Sequence, residues 1–308
     1  MADPDRTASL MTPAKLAQVK PRAPVSPAAW LDQMAADAGH VHVRRLTELC
    51  QELLCQDRLR DIAPAAGALA GIADALPGLD FGLVQPRGWW ARTTGKSKTA
   101  GAEFAAQFER IEEVSRSLAA HVQALQKKQQ ERVTLSELTL VEIEVETRAL
   151  EKILDQGARW LQDMRNQLKA RGASASDTQS QQAIKDDTLR CEILVARLKM
   201  LRAVSSAAQH AHQQAQAAAV RRAAVLQLLQ QAVATNVKSW QARLSKLAGV
   251  AGDGDASATS LEGPMESHRE LQLCIKQAIA DCGQLQAQEK ALAESLAALD
   301  SQVQAAKS

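Results

Sequence analysis

The sequence predicts an all-α protein: an elongated antiparallel bundle of long, coiled-coil-like helices with a small N-terminal helical cap. Three observations carry this. Residues 183–248 contain neither Pro nor Gly, so a single helix can run through all of them. Apolar residues recur at alternating steps of three and four along three separate stretches, the pattern of helices that pack lengthwise. The chain of 308 residues is 46% hydrophobic but only 3% aromatic, with no Tyr. Ala and Gln dominate its second half; both favour helix, and β-branched residues are too scattered for strands.

Residues 1–27 hold Pro4, Pro13, Pro21, Pro24 and Pro27 among small and basic residues, which predicts a disordered leader. Ser26-Pro27 then reads as a helix start. Residues 28–92 read as short helices, with an apolar face of Trp30, Leu31, Met34, Leu46, Leu49, Leu53 and Leu54. Pro64 interrupts them, and a weak Ala/Gly-rich stretch leads to the turn Arg87-Gly88-Trp89-Trp90-Ala91-Arg92.

Residues 93–248 are expected to form two long helices. A polar hinge at 93–102 precedes the first, over Glu103–Ala170, roughly 100 Å long at 1.5 Å per residue. Its seam runs through Phe104, Phe108, Ile111, Ser115, Leu118, Val122 and Leu125. It pauses, then resumes at Leu140, Ile143, Thr147, Leu150, Leu154, Ala158, Leu161 and Leu168. A flexible turn follows Arg171, and the second helix folds back antiparallel. Its seam comprises Leu194, Leu198 and Leu201, then Leu226, Leu229, Val233 and Trp240. Between these lies a middle of Ala207, Ala208, Ala211, Ala215 and Ala217–Ala219, thin enough for a neighbour to approach closely. Residues 249–263 form a Gly/Asp/Ser linker. Residues 264–308 form a last helix that packs on the other two through Leu271, Ile275, Cys282, Leu285, Leu292, Leu296, Leu299 and Val303.

The net charge of +2 is too small to indicate a nucleic-acid binder. No stretch of about 18 apolar residues occurs, so no ordinary membrane span is expected. Five cysteines, an odd number at long spacings without a secretion signal, point to a reducing, cytoplasmic compartment.

Motifs that could carry chemistry fail on spacing. Gly95-Lys96-Ser97 ends like a phosphate loop, but position 90 is Trp90 where that motif requires Gly. His40/His42 and His210/His212 are two apart, on nearly opposite faces of a helix, so neither pair chelates one ion. Cys50 and Cys55 miss the same-face spacing. Cys274 and Cys282 are two turns apart, about 12 Å, too far for a local disulfide. No catalytic, cofactor or metal residue is therefore assigned. What remains are surfaces. The second long helix is a basic rod in which Arg197, Arg202, Arg221 and Arg222 form a candidate face for an acidic partner or anionic lipid, the alternative being a solvated face balanced by acidic neighbours such as Glu142, Glu144 and Glu146. Arg221 and Arg222 are expected to lie off the seam, so that reversing both to Glu would leave the fold intact. Trp89 and Trp90, flanked by Arg87, Arg92, Lys96 and Lys98, are a candidate interfacial anchor, the alternative being that they cap the bundle end.

Arg197, Leu201, Gln214 and Trp240, in a helix opening Leu189-Arg190-Cys191-Glu192-Ile193-Leu194, resemble the toxic anion resistance (TelA-like, tellurite resistance) family over about residues 80–248. Asn236-Val237-Lys238-Ser239-Trp240 occupies the closing element, and Phe104–Leu125 is similar to the family's aromatic first segment. The chain departs from the pattern at Met200, where the family has an acid, and at Val220–Arg222, where it has an Asn cluster. The resemblance implies a bacterial protein, cytoplasmic or membrane-associated, that protects against tellurite and similar oxyanions without established catalytic residues. The expected function is thus a non-enzymatic stress adaptor or scaffold. It would need no cofactor and would work through a protein partner, with oligomerisation and peripheral membrane contact left open. A membrane-surface coiled-coil scaffold and a thiol-dependent oxyanion detoxifier are the alternatives.

Overall fold

The computed structural model describes residues 39–58, 61–85, 96–252 and 260–307. The expectations for the leader, for Trp30–Met34, for Trp89 and Trp90, and for Gly95 lie outside these residues. Among the described residues there is no strand, and the chain is an all-α bundle of long antiparallel helices.

Helix α1 spans His40–Arg58 and α2 spans Ala63–Ala75. Asp61 Oδ1 accepts from the Ala63 amide at 2.8 Å, and Pro64 follows in the first turn, where its missing N–H costs nothing. Two 3₁₀ turns, Leu76–Gly78 and Phe81–Val84, end this segment. Helix α3 runs unbroken from Lys96 to Ser174, 79 residues, about 120 Å at the helical rise. The expected polar hinge is thus helical from Lys96 onward. Only Ala175–Asp177 separate α3 from α4, Thr178–Gln231. Asp177 caps α4 by accepting the Ser180 amide at 3.0 Å, and the Ser180 hydroxyl, with that amide second, holds its carboxyl below the usual carboxylate range. A π-helical turn, Ala232–Val237, joins α4 to α5, Lys238–Gly252. Helix α6 spans Glu262–Lys307.

The N-terminal helices do not cap one end. They form a fourth column antiparallel to α3. His42 meets Glu146, Gln56 meets Ser136, the Asp80 amide meets Gln107, and Phe81 packs on Phe104. Helices α4, α5 and α6 supply the other columns, α6 running antiparallel to both of its neighbours from Arg243–Gly263 to Arg197–Ala306. Column contacts extend α1 and α2 over α6 as well as α3.

The first seam of α3 is buried as its spacing predicts, from Phe104 to Leu125. The expected pause is instead polar: Gln129 and Arg132 are half-buried and Ser136 and Thr139 buried, at unbroken steps of three and four. Farther along, Ala158 is exposed and Gly157 takes the seam position. A Cβ on Gly157 would sit 2.8 Å from the Leu198 methyls, so the missing side chain is what lets α3 and α4 close at that point.

The second seam is buried at Leu194, Leu198, Leu201, Leu226, Leu229 and Trp240, while Val233 is only half-buried. The π turn explains that difference. Buried positions follow steps of three and four from Leu201 to Ala232, jump five to Val237, then continue through Trp240, Leu244, Leu247 and Ala251. Without the extra residue the same count would carry Asn236, Ser239 and Arg243 inward. The π turn thus restores an apolar face that a regular helix would have rotated away.

Gly39 opens α1 with φ of 72°, the left-handed region. Its Cβ would lie 2.9 Å from Leu201 and 3.0 Å from Leu150. Conformation and space both demand Gly, so Gly39→Ala is expected to destabilise the protein by about 1–3 kcal/mol in urea unfolding. An unchanged midpoint would contradict the placement of α1 on this corner.

Candidate functional site

Two apolar clusters fill the bundle. One joins α1 to the far part of α3, the first part of α4 and the end of α6. The other joins α2 to the near part of α3, α5 and the start of α6. Between them lies a polar layer to which all four columns contribute. Ser136 Oγ donates to Gln56 Oε1 at 2.8 Å, and Gln56 Nε2 donates to Thr139 Oγ1 at 3.3 Å. Beside them Arg222, 4% exposed, donates to Asp57 and, at 2.7 Å, to Glu289. Burial pushes the Glu289 carboxyl up; the Arg222 guanidinium opposes this, and Asp57 and Asp61 add to the rise.

This geometry corrects the cationic face. Arg222 is a seam residue bonded inside the bundle, and Arg197 is also buried. Arg197 donates to the Ala306 carbonyl, satisfying an orphan acceptor in the last turn of α6, and burial lowers its pKa. Arg221 is half-buried with Asp281 at 4.0 Å, and only Arg202 of the four is fully exposed. The α4 cations therefore do not form one continuous outward face. Two of them hold the fold together.

A second polar device sits by the π turn. Trp240, fully buried, packs on Phe108 at 5.2 Å between ring centroids. Its Nε1 donates to His268 Nδ1 at 3.3 Å, so the neutral imidazole carries its proton on Nε2; the Gln272 side-chain amide, 3.1 Å from Nε2, accepts that proton only by turning its oxygen to the ring. Phe81 meets the imidazole edge-on at 5.3 Å. Burial lowers the His268 pKa, with the Leu76 carbonyl opposing. The unfolded chain, with an ordinary His pKa of about 6.5, then takes up a proton that the folded chain refuses. Stability is fully present above that pH and falls as pH drops toward the folded pKa. Between pH 7.5 and 5.5, the melting temperature of the wild type should fall further than that of His268→Gln. Parallel pH profiles would rule out this role for His268.

The thiol candidates are mostly interior. Burial pushes Cys50 up to about 12 and Cys282 to about 11, and raises Cys191 too. Cys55 is exposed, Cys274 is half-buried, and all five are free thiols. His42 is bound to Glu146 at 2.5 Å, and His212 lines a groove of about 310 Å³ between α3 and α4 with Thr147, Glu151 and Gln209. Among the described residues no group of three His, Cys, Asp or Glu side chains is placed to hold a metal ion, and no helix is long and apolar enough to cross a membrane.

One surface was not anticipated. Leu138, Val141 and Val145 on α3 are 55–56% exposed, at steps of three and four, on the face opposite the seam residues Ile143 and Leu150. Leu135 continues the stripe at its upstream end. Of the six Glu in residues 131–151, Glu142 pairs with Arg45 and Glu146 with His42 of α1, and Glu144 pairs with Arg148 within α3. The signal was present in Leu138-Thr139-Leu140-Val141-Glu142-Ile143-Glu144-Val145: in a helix this run puts aliphatics on two opposite faces, and the seam can use only one.

Rod and stripe together define a long-helix bundle with an outward apolar face. Comparison with family models, with characterised proteins and with solved structures finds no match to this chain.

Proposed function

We propose that this protein is a non-catalytic helical scaffold that engages a protein partner through the outer face of α3. The exposed, heptad-spaced stripe Leu138–Val141–Val145 carries the reading. Aliphatics at that spacing on a stiff helix suit lengthwise packing against another helix, and leaving them in water gains the bundle nothing. The interior polar groups support it: Arg222 is bonded to Asp57 and Glu289, and Ser136 to Gln56, each set closed within the bundle.

The physiological setting we propose comes from the resemblance carried by Arg197, Leu201, Gln214 and Trp240: protection against tellurite and similar oxyanions. Three of those residues, Arg197, Leu201 and Trp240, are buried, so what they share with that family concerns the frame. The test is affinity capture from the native host with wild type and Val141→Glu, soluble and membrane fractions kept apart, alongside tellurite sensitivity of a strain lacking the chain. Loss of a captured protein and of protection in the folded variant supports the proposal. Equal capture and equal protection by both forms would sink it.

A further inference from the structure

We infer that residues 28–38, the segment that leads into Gly39, dock as a helix on this chain's own α3–α4 hairpin. Trp30, Leu31 and Met34 would cover the hairpin seam beyond the ends of α1 and α6.

That seam is more buried than an open pair of helices leaves it. Helix α1 begins at His40, and His42 meets Glu146. Helix α6 ends at Lys307, where the Ala306 carbonyl meets Arg197. Past that level, among the described residues, only α3 and α4 continue, out to Ser174 and back from Thr178. The apolar face that they share with α1 and α6 carries on through Leu161, Met164 and Leu194. With two helices alone, one flank of that face would lie open to water. Yet these three side chains are 7%, 3% and 0% exposed, so a further element covers them.

The chain has one segment that can reach. Residues 86–95 and 253–259 leave and rejoin the rod at its other end, where Val84, Phe104 and Ala251 share a cluster. From Phe104 to Leu161 is 57 residues of unbroken helix, about 85 Å. Ten residues tethered at both ends do not span that. Residues 59–60 join α1 to α2 beside the polar layer, and Ser308 is a single residue. The residues ahead of Gly39 start at the right place. The position of a Cβ on Gly39 lies 2.9 Å from Leu201 and 3.0 Å from Leu150, at the base of the hairpin. Because α1 runs antiparallel to α3, from Glu146 at His42 to Ser136 at Gln56, the chain ahead of it heads out along the hairpin.

Register and pattern agree. Carried on at the same offset, Met34 comes within about a turn of Ile153 and Gly157, and Trp30 within about a turn of Trp160. Ile153 and Trp160 follow Glu146 at successive steps of seven, so they lie on the edge of α3 that holds α1, and both are half-buried. Residues 28–38 contain neither Pro nor Gly, and Pro27 precedes them. In a helix Trp30, Leu31, Met34 and Ala38 share one face, with Asp32 opposite.

Hydrogen exchange of the full chain, read by mass spectrometry of its peptides, tests this. Trp30→Glu with Met34→Glu should speed amide exchange in residues 158–168 and 190–198 about tenfold or more. Exchange over Phe104–Leu125 should stay as in wild type, which shows the variant folded. Trp30→Phe and Asp32→Lys should both leave the hairpin protected, the first by keeping the apolar face and the second by lying off it. Unchanged exchange in the hairpin of the double variant overturns the inference, as does Asp32→Lys acting like Trp30→Glu. Wild-type protection should be the same over a hundredfold dilution. Protection that fades on dilution would make a second copy the cover and overturn docking within one chain.

Discussion

Trp240→Ala should cost about 3–5 kcal/mol, measured as a lower urea midpoint for the half of the rod that holds it. The indole is fully buried against Phe108, so truncation leaves a large cavity in a cluster that has few aromatics to collapse into it. It also strips His268 Nδ1 of its donor in a buried site. Trp240→Phe should recover most of the loss, leaving about 1 kcal/mol for the missing hydrogen bond. A Trp240→Ala midpoint within error of wild type would mean that the ring does not sit in the seam in solution.

Arg222→Met is expected to be of similar size, about 3–5 kcal/mol. Two carboxylates, Asp57 and Glu289, share that one guanidinium, and without it they face each other partly desolvated. Removing the charges together should be far milder: Arg222→Met with Asp57→Asn and Glu289→Gln ought to restore most of the stability, since a buried ion group adds little beyond its own neutralisation. The double reversal Arg221→Glu with Arg222→Glu, which the sequence suggests is harmless to the fold, should instead lower the melting temperature sharply. It places a third carboxylate among two. An unchanged melting temperature in that variant would show that residue 222 faces water.

The contrast between these two sites shows what the chain reveals before it folds. Trp240 could be read as buried because it is large, apolar and spaced from Leu244 and Leu247 in a helical pattern. Its exact phase could not, because the π turn inserts a residue that no propensity marks. Only the inward count of Asn236, Ser239 and Arg243 hints at it. Arg222 reads as exposed from the sequence because a charged side chain in a basic stretch ordinarily faces water. It lies four residues beyond Ala218 and three before Val225, at a seam position, but its partners are 165 and 67 residues away. Nothing local announces them. Gly157 was missed for Ala158 by one position, and only the approach of Leu198 decides between them. The outer stripe was legible in Leu138–Val145, but the inner seam absorbed the whole run.

The polar layer has a consequence for how the rod comes apart. Cooperative melting depends on apolar contacts that share neighbours, and here those contacts stop at Gln129–Thr139 and Arg222 and begin again on the other side. Among the described residues, the two halves are joined across this layer by the continuous backbones of α3, α4 and α6 and by directional bonds such as those of Arg222 and Gln56. Each half is therefore its own unit of local unfolding. One end can open while the other keeps its protection from solvent exchange, so a chain that loses the Trp240 end need not lose the hairpin end.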